Sequence, residues 1–188
     1  MKRAKAYEKL QSALLKEKFV RIVRRFDGAD RIDGFVVAVG DTWVLVRQTD
    51  HTLALDGWAA IRVRDISAVE KLGQETSRGV QHRVLRALDE WPPSAPSTCL
   101  IDDLSNVIAT AHSVSPIVAI HKEAGRPDAL WVGAVKTVGD ESLIFAELDA
   151  QAVWENLPTD FDSDDVTRVE FGTRYLANLA LVMGDIPG

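Results

Sequence analysis

Short runs of apolar residues recur along the chain and are separated by polar turns. β-Branched and aromatic residues dominate these runs, which is typical of antiparallel strands joined by tight turns. Gly40-Asp41 separates two of the runs and predicts a hairpin. In the first half the pattern predicts five strands, at about 20–26, 32–39, 43–48, 58–64 and 65–72.

Helical periodicity appears only outside the strand groups. Apolar residues three or four positions apart predict helices over about 3–17, 77–90, 100–111 and 173–183. The second of these helices must end before Pro92, because proline removes a backbone donor and clashes with the preceding turn. Each group of strands therefore lies between two helices.

The strand pattern occurs twice. Gly34 is followed by four residues and then Val-Gly-Asp, and Gly133 begins the same pattern 99 positions later. Further on, Asp65 begins Asp-Ile-Ser-Ala-Val-Glu, and Asp165 begins Asp-Val-Thr-Arg-Val-Glu 100 positions later. Matches in the same order indicate an internal repeat with one inserted residue.

A Pro- and Ser-rich segment at residues 92–98 divides the two copies. The sequence therefore predicts two domains, a helix-barrel-helix unit at 1–91 and a second one at 99–188. Five short strands within about 55 residues suit a small barrel or a strongly bent sheet. The predicted fold class is mainly β with flanking helices (α+β).

The first copy resembles the Sm-like small barrel, in which an N-terminal helix precedes five bent antiparallel strands. Gly34, Val39 and Asp41, followed by the apolar run 44–46, are similar to the first motif of that family, and residues 61–69 are similar to its second. An SH3-like barrel would give nearly the same pattern. The resemblance implies two tandem five-stranded barrels, each followed by a short helix.

Sm-like proteins generally bind RNA in oligomeric rings, through an Asn in the first motif and an Arg-Gly pair in the second. This chain has Val44 or Leu45 at the Asn position and Arg64-Asp65 at the Arg-Gly position. The second copy has Leu143 or Ile144 and Asp164-Asp165 at the same two places. An aspartate at the glycine position adds a negative charge where a phosphate would approach, which disfavours RNA.

Composition argues against a nucleic-acid-binding, a disulfide-bonded and a membrane-spanning protein. The 188 residues carry a formal net charge of −6, which opposes non-specific attraction to nucleic acid, and the single Cys99 excludes an intramolecular disulfide. The apolar runs are much shorter than a membrane-spanning helix, and the N-terminus lacks the apolar core of a signal peptide. The sequence thus predicts a cytoplasmic protein that does not cross a membrane.

The candidate binding surface is a basic patch on the first copy. It consists of Arg47, Arg62 and Arg64, with Trp58 or Trp43 as a stacking platform. The alternative is that both tryptophans belong to the core, where large aromatic side chains are usually found. An excess of Lys and Arg in the first 25 residues is either a solvated surface or a further nucleic-acid contact.

No phosphate loop, dinucleotide-binding motif or nucleophile elbow occurs, so the sequence predicts no catalytic residues, no cofactor and no metal site. The four histidines lack metal-binding spacing, and the aspartates at 27–33 and 160–165 are interpreted as polar loops. We therefore expect a non-enzymatic binding or regulatory module. Its partner is a protein or a second copy joined through barrel edge strands. RNA binding through the basic N-terminus and first barrel is the alternative, and an enzyme with an unrecognised site is the third.

Overall fold

The computed structural model describes residues 3–72 and 77–188, which form ten strands and four α-helices. In the first half these are α1 (Arg3–Leu15), β1 (Phe19–Arg24), β2 (Ile32–Val39), β3 (Trp43–Thr49), β4 (Leu55–Arg62), β5 (Ile66–Lys71) and α2 (Ser77–Ala87). In the second half they are α3 (Leu104–His112), β6 (Val118–His121), β7 (Trp131–Val138), β8 (Ser142–Leu148), β9 (Thr159–Asp162), β10 (Arg168–Phe171) and α4 (Arg174–Ala180).

The four predicted helices are present, with different ends. The third begins at Leu104 rather than at residue 100, because Asp103 caps it: the Asp103 carboxylate accepts a hydrogen bond from the backbone N–H of Asn106. Thr173 caps the fourth helix in the same way, through the N–H of Leu176. Short polar side chains at these positions compete with helix continuation and fix where each helix begins.

All ten strands belong to one antiparallel sheet with the order β5-β1-β2-β3-β4-β10-β6-β7-β8-β9. Each half contributes five neighbouring strands, with its own fifth strand placed beside its first. The halves meet where β4 pairs with β10, and β5 and β9 form the two edges of the sheet.

The prediction of a mainly β fold with flanking helices is confirmed, but the sheet is not closed into two barrels. Within the described residues, β4 pairs with β3 and β10 and not with the fifth strand of its own half. Ala59, Ala60 and Ile61 of β4 are fully buried in this arrangement. β4 is therefore a central strand, and the other half supplies its second neighbour, β10.

The structure repeats as the sequence does. The β2–β3 ladder has a bulge between Val36 and Ala38, and the β7–β8 ladder has one between Val135 and Thr137, again 99 positions later. A 3-10 turn joins the fourth strand to the fifth in each half, at Val63–Asp65 and at Ser163–Asp165. The two halves therefore share bulges and turns as well as strand order.

The largest core crosses the junction between the halves. Trp43, Leu45 and Ala60 of the first half pack with Phe145 and Phe171 of the second, together with the apolar face of α3. A separate core lies under α1 in the first half. Residues 92–98 contain no helix or strand, and the domain limits at 1–91 and 99–188 stay predictions.

Candidate functional site

Both tryptophans of the predicted patch take part in packing. Trp43 is 2% exposed and belongs to the core that crosses the junction. Trp58 is half-buried and stacks on Phe171 across the β4–β10 pair, with ring centroids 5.8 Å apart and an interplanar angle of 15°. The indole N–H of Trp58 donates to the carbonyl oxygen of Ser94 at 3.0 Å. Trp58 therefore fastens one end of the junction.

Arg47 lies over Trp58 rather than over an open surface. Its guanidinium carbon is 3.8 Å from the centre of the Trp58 ring, a cation–π arrangement. Burial lowers the pKa of Arg47. Arg47 and Trp58 are also opposite each other in the β3–β4 ladder, so the contact follows from strand register.

Arg62 and Arg64 lie at the opposite end of the same strands and bind the second half. Arg62 Nε donates to Asp65 Oδ2, and Arg62 Nη1 donates to the carbonyl oxygen of Asp164, both at 2.5 Å. Arg64 Nη2 bonds the Asp164 carboxylate at 2.8 Å. Along the β3–β4 ladder, Arg62 lies four strand positions, about 13 Å, from the level of Arg47, and Arg64 follows in the 3-10 turn. The structure thus divides the predicted patch into two groups.

A narrow cavity of about 180 Å³ lies beside Arg62 and Arg64, between the turns of the two halves and the start of α3. Its walls carry both signs of charge, since Asp103, Asp140 and Asp164 line it with the two arginines. Such a lining is close to balanced and does not select an anion or a cation.

A buried ionic network also joins the halves, and the sequence analysis did not predict it. Arg24, at the end of β1, forms a two-point ion pair with Glu123, which follows β6 in the second half. Both side chains are 0% exposed, and the closer contact is 2.8 Å. Burial together with the neighbouring Arg168 lowers the pKa of Arg24, although Glu123 opposes the change. The N–H of Glu123 also donates to the hydroxyl of Thr167 at 3.1 Å.

Arg168 extends the network along β10. Its guanidinium contacts Glu123 at 3.3 Å, Glu170 at 2.8 Å and the Nδ1 atom of His121 at 2.8 Å. His121 and Arg168 are paired residues of β6 and β10, and in the first half the corresponding pair is Val23 with Ala68. The second copy therefore has a polar cross-strand pair where the first copy has an apolar one.

The network makes the stability of the fold sensitive to acid. Burial of the Glu170 carboxylate raises its pKa, but His121 and Arg168 outweigh burial and hold the pKa below its usual value. A carboxylate with a lowered pKa in the folded state stabilises the fold above its unfolded pKa, and this contribution is lost as the pH falls.

We therefore expect Glu170→Gln to reduce the acid sensitivity of the protein. Urea unfolding at about pH 6 and about pH 3 would give the free energy of unfolding of both proteins. The wild type should lose more stability over this interval than the variant, whose residue 170 does not titrate. Equal losses of stability in the two proteins would contradict the conclusion that Glu170 contributes to the acid sensitivity.

The first free edge, β5, adjoins a groove under α1. Leu72, which follows the strand, donates its N–H to Phe19 in β1, so by alternation the backbone groups of Val69 and Lys71 point away from β1 to the open edge. Lys9 of α1 donates to the carbonyl oxygen of Val69 at 3.0 Å. The groove has a volume of about 510 Å³, and its lining includes Lys9, Lys18 and Lys71. This edge is basic and partly capped.

The second free edge, β9, is acidic. The strand runs from Thr159 to Asp162, and its exposed side chains are those of Asp160 and Asp162. The N–H of Ser163 donates to Glu141 on the inner side, so by alternation the backbone groups of both aspartates point to the open edge. Pro158 precedes the strand and offers no N–H there. Short strands, charges and proline are the usual protection of an edge against uncontrolled pairing.

Among the described residues, no group of three or more His, Cys, Asp or Glu side chains is arranged to hold a metal ion. None of the described helices combines the length and apolar character required to cross a bilayer. No family model, curated protein or solved structure matches this chain.

Proposed function

We propose that this chain is a non-enzymatic binding module that takes up an extended, acidic protein segment as an added strand at the β5 edge. The observation that carries the proposal is the β4–β10 junction, where the chain already joins one half to the other by adding a strand to an edge. β5 corresponds to β10 in the repeat, so it presents the same type of edge to a partner.

Backbone geometry supports this mode of binding. At the junction, β10 pairs with β4 over four residues, and the N–H of Arg62 continues the ladder to the carbonyl oxygen of Thr167. In β5 the backbone groups of Val69 and Lys71 have the outward direction that the corresponding groups of β10 have towards β4. An added strand forms main-chain hydrogen bonds whatever its sequence, and side-chain contacts then select the partner.

The charges around the groove favour an acidic partner. Lys9, Lys18 and Lys71 line the groove at the open edge, and among the described lining residues Glu70 is the one with an acidic side chain. The ammonium group of Lys9 must leave the carbonyl oxygen of Val69 when a strand is added. A carboxylate on the incoming segment gives that group a new partner, so an acidic segment offsets the cost of opening the edge.

We also propose that each half is a copy of an Sm-like or SH3-like unit with an opened barrel. In support, each half has a helix before five antiparallel strands and a 3-10 turn between the fourth and fifth. In each half the fifth strand pairs with the first, so the fourth strand keeps one open side. β10 fills that side for β4, whereas among the described strands none fills it for β9.

Lys71→Pro should weaken the binding of an acidic strand about tenfold, because it removes an outward N–H that would enter the added ladder. No internal pairing is lost, since the backbone of Lys71 points away from β1. The matched control Lys71→Ala removes the same charge but keeps the N–H. The measurement is fluorescence anisotropy with a labelled hexapeptide of alternating Asp and Val.

The same titration contains its own counter-tests. A peptide with Lys at each Asp position should bind more weakly than the acidic one, and equal binding of the two would remove the role of the lysines. Equal losses in the Pro and Ala variants would show that strand addition is wrong. A single-stranded RNA oligonucleotide that binds more tightly than the acidic peptide, with steep weakening by salt, would replace the proposal by RNA binding.

A further inference from the structure

We propose that a cavity between the first half of the sheet and α2 binds a small organic acid, an anion with a flat apolar body. The cavity has a volume of about 460 Å³, within the range of pockets that hold small-molecule ligands. Its lining includes Phe19 and Arg21, which alternate along β1 with Val20 and Ile22 of the core under α1. The cavity therefore lies on the other face of the sheet from α1, and the proposal goes beyond strand addition at the β5 edge.

The second half shows the same face of the sheet when apolar side chains fill it. α4 follows β10 as α2 follows β5, so the two helices occupy equivalent places in the repeat. Five side chains in or next to β6, β7 and β8 are at most 5% exposed and form one core with Leu176 of α4. They belong to Ile117, Ala119, Val132, Ala134 and Leu148.

The first half has polar side chains at three of these five positions. Arg21 and Asp33 form a cross-strand pair where the second half has the pair Ala119 and Val132. Thr49 stands in β3 at the place of the leucine in β8, 99 positions earlier. Arg21, Asp33 and Thr49 all line the cavity. One scaffold is thus filled with apolar side chains in one copy and carries a polar-lined cavity in the other.

Arg21 and Asp33 neutralise each other and leave one nitrogen for a ligand. Nε and Nη2 of Arg21 donate to the two carboxylate oxygens of Asp33, both at 2.7 Å. This two-point contact fixes the plane of the guanidinium group. The third nitrogen, Nη1, makes no hydrogen bond within the described part of the chain, so its N–H groups are available to an acceptor.

The other two charged residues of the lining differ in their partners. The Asp50 carboxylate accepts hydrogen bonds from the N–H and the hydroxyl of Thr52 and lies 3.4 Å from Nη2 of Arg174. Arg31 is exposed and forms no ion pair with any residue that the structure describes. The cavity therefore has one positive charge without a counter-charge, which favours an anionic ligand.

The rest of the lining favours an apolar body on that ligand. Phe19, Leu53 and Leu72 contribute apolar surface, and burying such surface is the main source of affinity in small-molecule pockets. Gln81 of α2 is 2% exposed and donates to the carbonyl oxygen of Leu53 at 2.6 Å, which fixes the β3–β4 loop against the helix. A flat organic acid can thus lay its body on apolar side chains with its carboxylate at the two arginines.

Isothermal titration calorimetry of the full chain with cinnamate tests the proposal. The wild type should bind cinnamate, and it should bind cinnamamide, which has nearly the same shape without the charge, about fivefold more weakly. Arg31→Gln removes the cation that has no counter-charge, so it should weaken cinnamate binding about fivefold and leave cinnamamide binding unchanged. The matched control Lys5→Gln makes the same change in net charge on the exposed side of α1 and should change neither affinity.

A filling variant tests where the ligand binds. Thr49→Trp places a large side chain in the cavity, as the leucine of β8 does in the second copy, and should weaken both ligands about tenfold. Circular dichroism melting checks that this variant is folded. If it is not, Arg31→Gln decides alone, because its side chain is exposed and supports no internal contact.

Several results would overturn the proposal. They are a wild type that does not bind cinnamate, equal affinities for cinnamate and cinnamamide, and equal effects of Arg31→Gln and Lys5→Gln. Binding that a folded Thr49→Trp variant leaves unchanged would do the same, because the ligand would then lie elsewhere. Arg31→Gln should not alter the affinity for the acidic hexapeptide, and Lys71→Pro should not alter that for cinnamate, so the two proposals can fail independently.

Discussion

Glu123→Gln is expected to lower the free energy of unfolding by about 3 to 5 kcal/mol, the cost of removing one partner from a buried ion pair. Glutamine keeps the shape of the side chain but removes the charge that compensates two guanidinium groups. Arg24 is 2.8 Å from Glu123 with its side chain fully buried, and Arg168 is 3.3 Å away with a side chain 2% exposed. Two buried cations would then share one site. Urea unfolding measures the change directly.

Asp165→Asn is the matched control, because it also neutralises one carboxylate that pairs with a cation. Asp165 lies 3.0 Å from Lys122, but 54% of its side chain is exposed. Ion pairs at the surface contribute at most about 1 kcal/mol, so this variant should unfold almost as the wild type does. Similar losses for the two variants would show that burial does not determine the strength of the Glu123 contacts.

A double variant separates lost attraction from an uncompensated charge. Arg24→Met combined with Glu123→Gln removes one cation together with the carboxylate, so fewer charges remain without a partner. We expect this variant to be more stable than Glu123→Gln alone, since replacing buried ions by apolar groups is often tolerated. A further loss of stability would mean that the Arg24 side chain stabilises the junction through its packing.

The network also bears on the proposed function. It holds the end of β1 against the second half, next to the place where β4 pairs with β10. The internal junction is thereby secured by a buried ion pair, an aromatic stack and a strand ladder. At the β5 edge, Lys9 caps one outward carbonyl group, and the β9 edge carries exposed aspartates. The proposed strand addition concerns the β5 edge and leaves the internal junction in place.

The sequence predicted local structure well because local structure depends on spacing. Alternation in β2 and the Gly40-Asp41 turn placed a strand at Ile32–Val39, the bounds that the structure has. The repeat anchors at Gly34 and Gly133 likewise predicted which strands correspond. A period of two or of 3.6 residues is visible in a single chain without knowledge of its neighbours.

Non-local pairing was predicted less well. The expectation of closed barrels was wrong because strand spacing does not reveal that β4 pairs with β10, about 110 residues away. Glu123 was missed for the same reason: it follows a short strand in a polar segment, and its partner Arg24 is 99 positions away. The available signal was Arg168 in β10, which stands at the place of Ala68 in the first copy.

The side-chain contacts of the predicted basic patch also depend on residues far away in the sequence. Arg47, Arg62 and Arg64 are close in the sequence of two strands, and their charges suggested one surface. Asp164 of the second half binds two of them, and Trp58 covers the third. Binding of a partner by these residues stays a prediction, but in the structure they form two separate groups and not one continuous surface.

Gly133→Ala is expected to destabilise the fold by about 3 kcal/mol, the upper range for overpacking in a closely packed interior. A Cβ atom at Gly133 would lie 1.9 Å from the carbonyl oxygen of Ala146 in the neighbouring strand. Backbone cannot rotate away as a side chain can, so β7 and β8 must separate next to their bulge. Thermal and urea unfolding of the variant measure the loss.

The other copy and the second glycine of the motif provide the controls. Gly34→Ala should behave like Gly133→Ala, because its Cβ would lie 2.3 Å from the carbonyl oxygen of Arg47. Gly139→Ala should change the free energy of unfolding by at most about 0.5 kcal/mol, since its Cβ would be 3.7 Å from the nearest atom, the carbonyl oxygen of Ser142. If the three variants were equally stable, the first glycine would not be required by the close approach of two strands. If the variants differ as expected, the close approach of two strands in the bulged hairpin is enough to explain why Gly34 and Gly133 recur. Residues that bind a partner must then be sought at positions where the two copies differ.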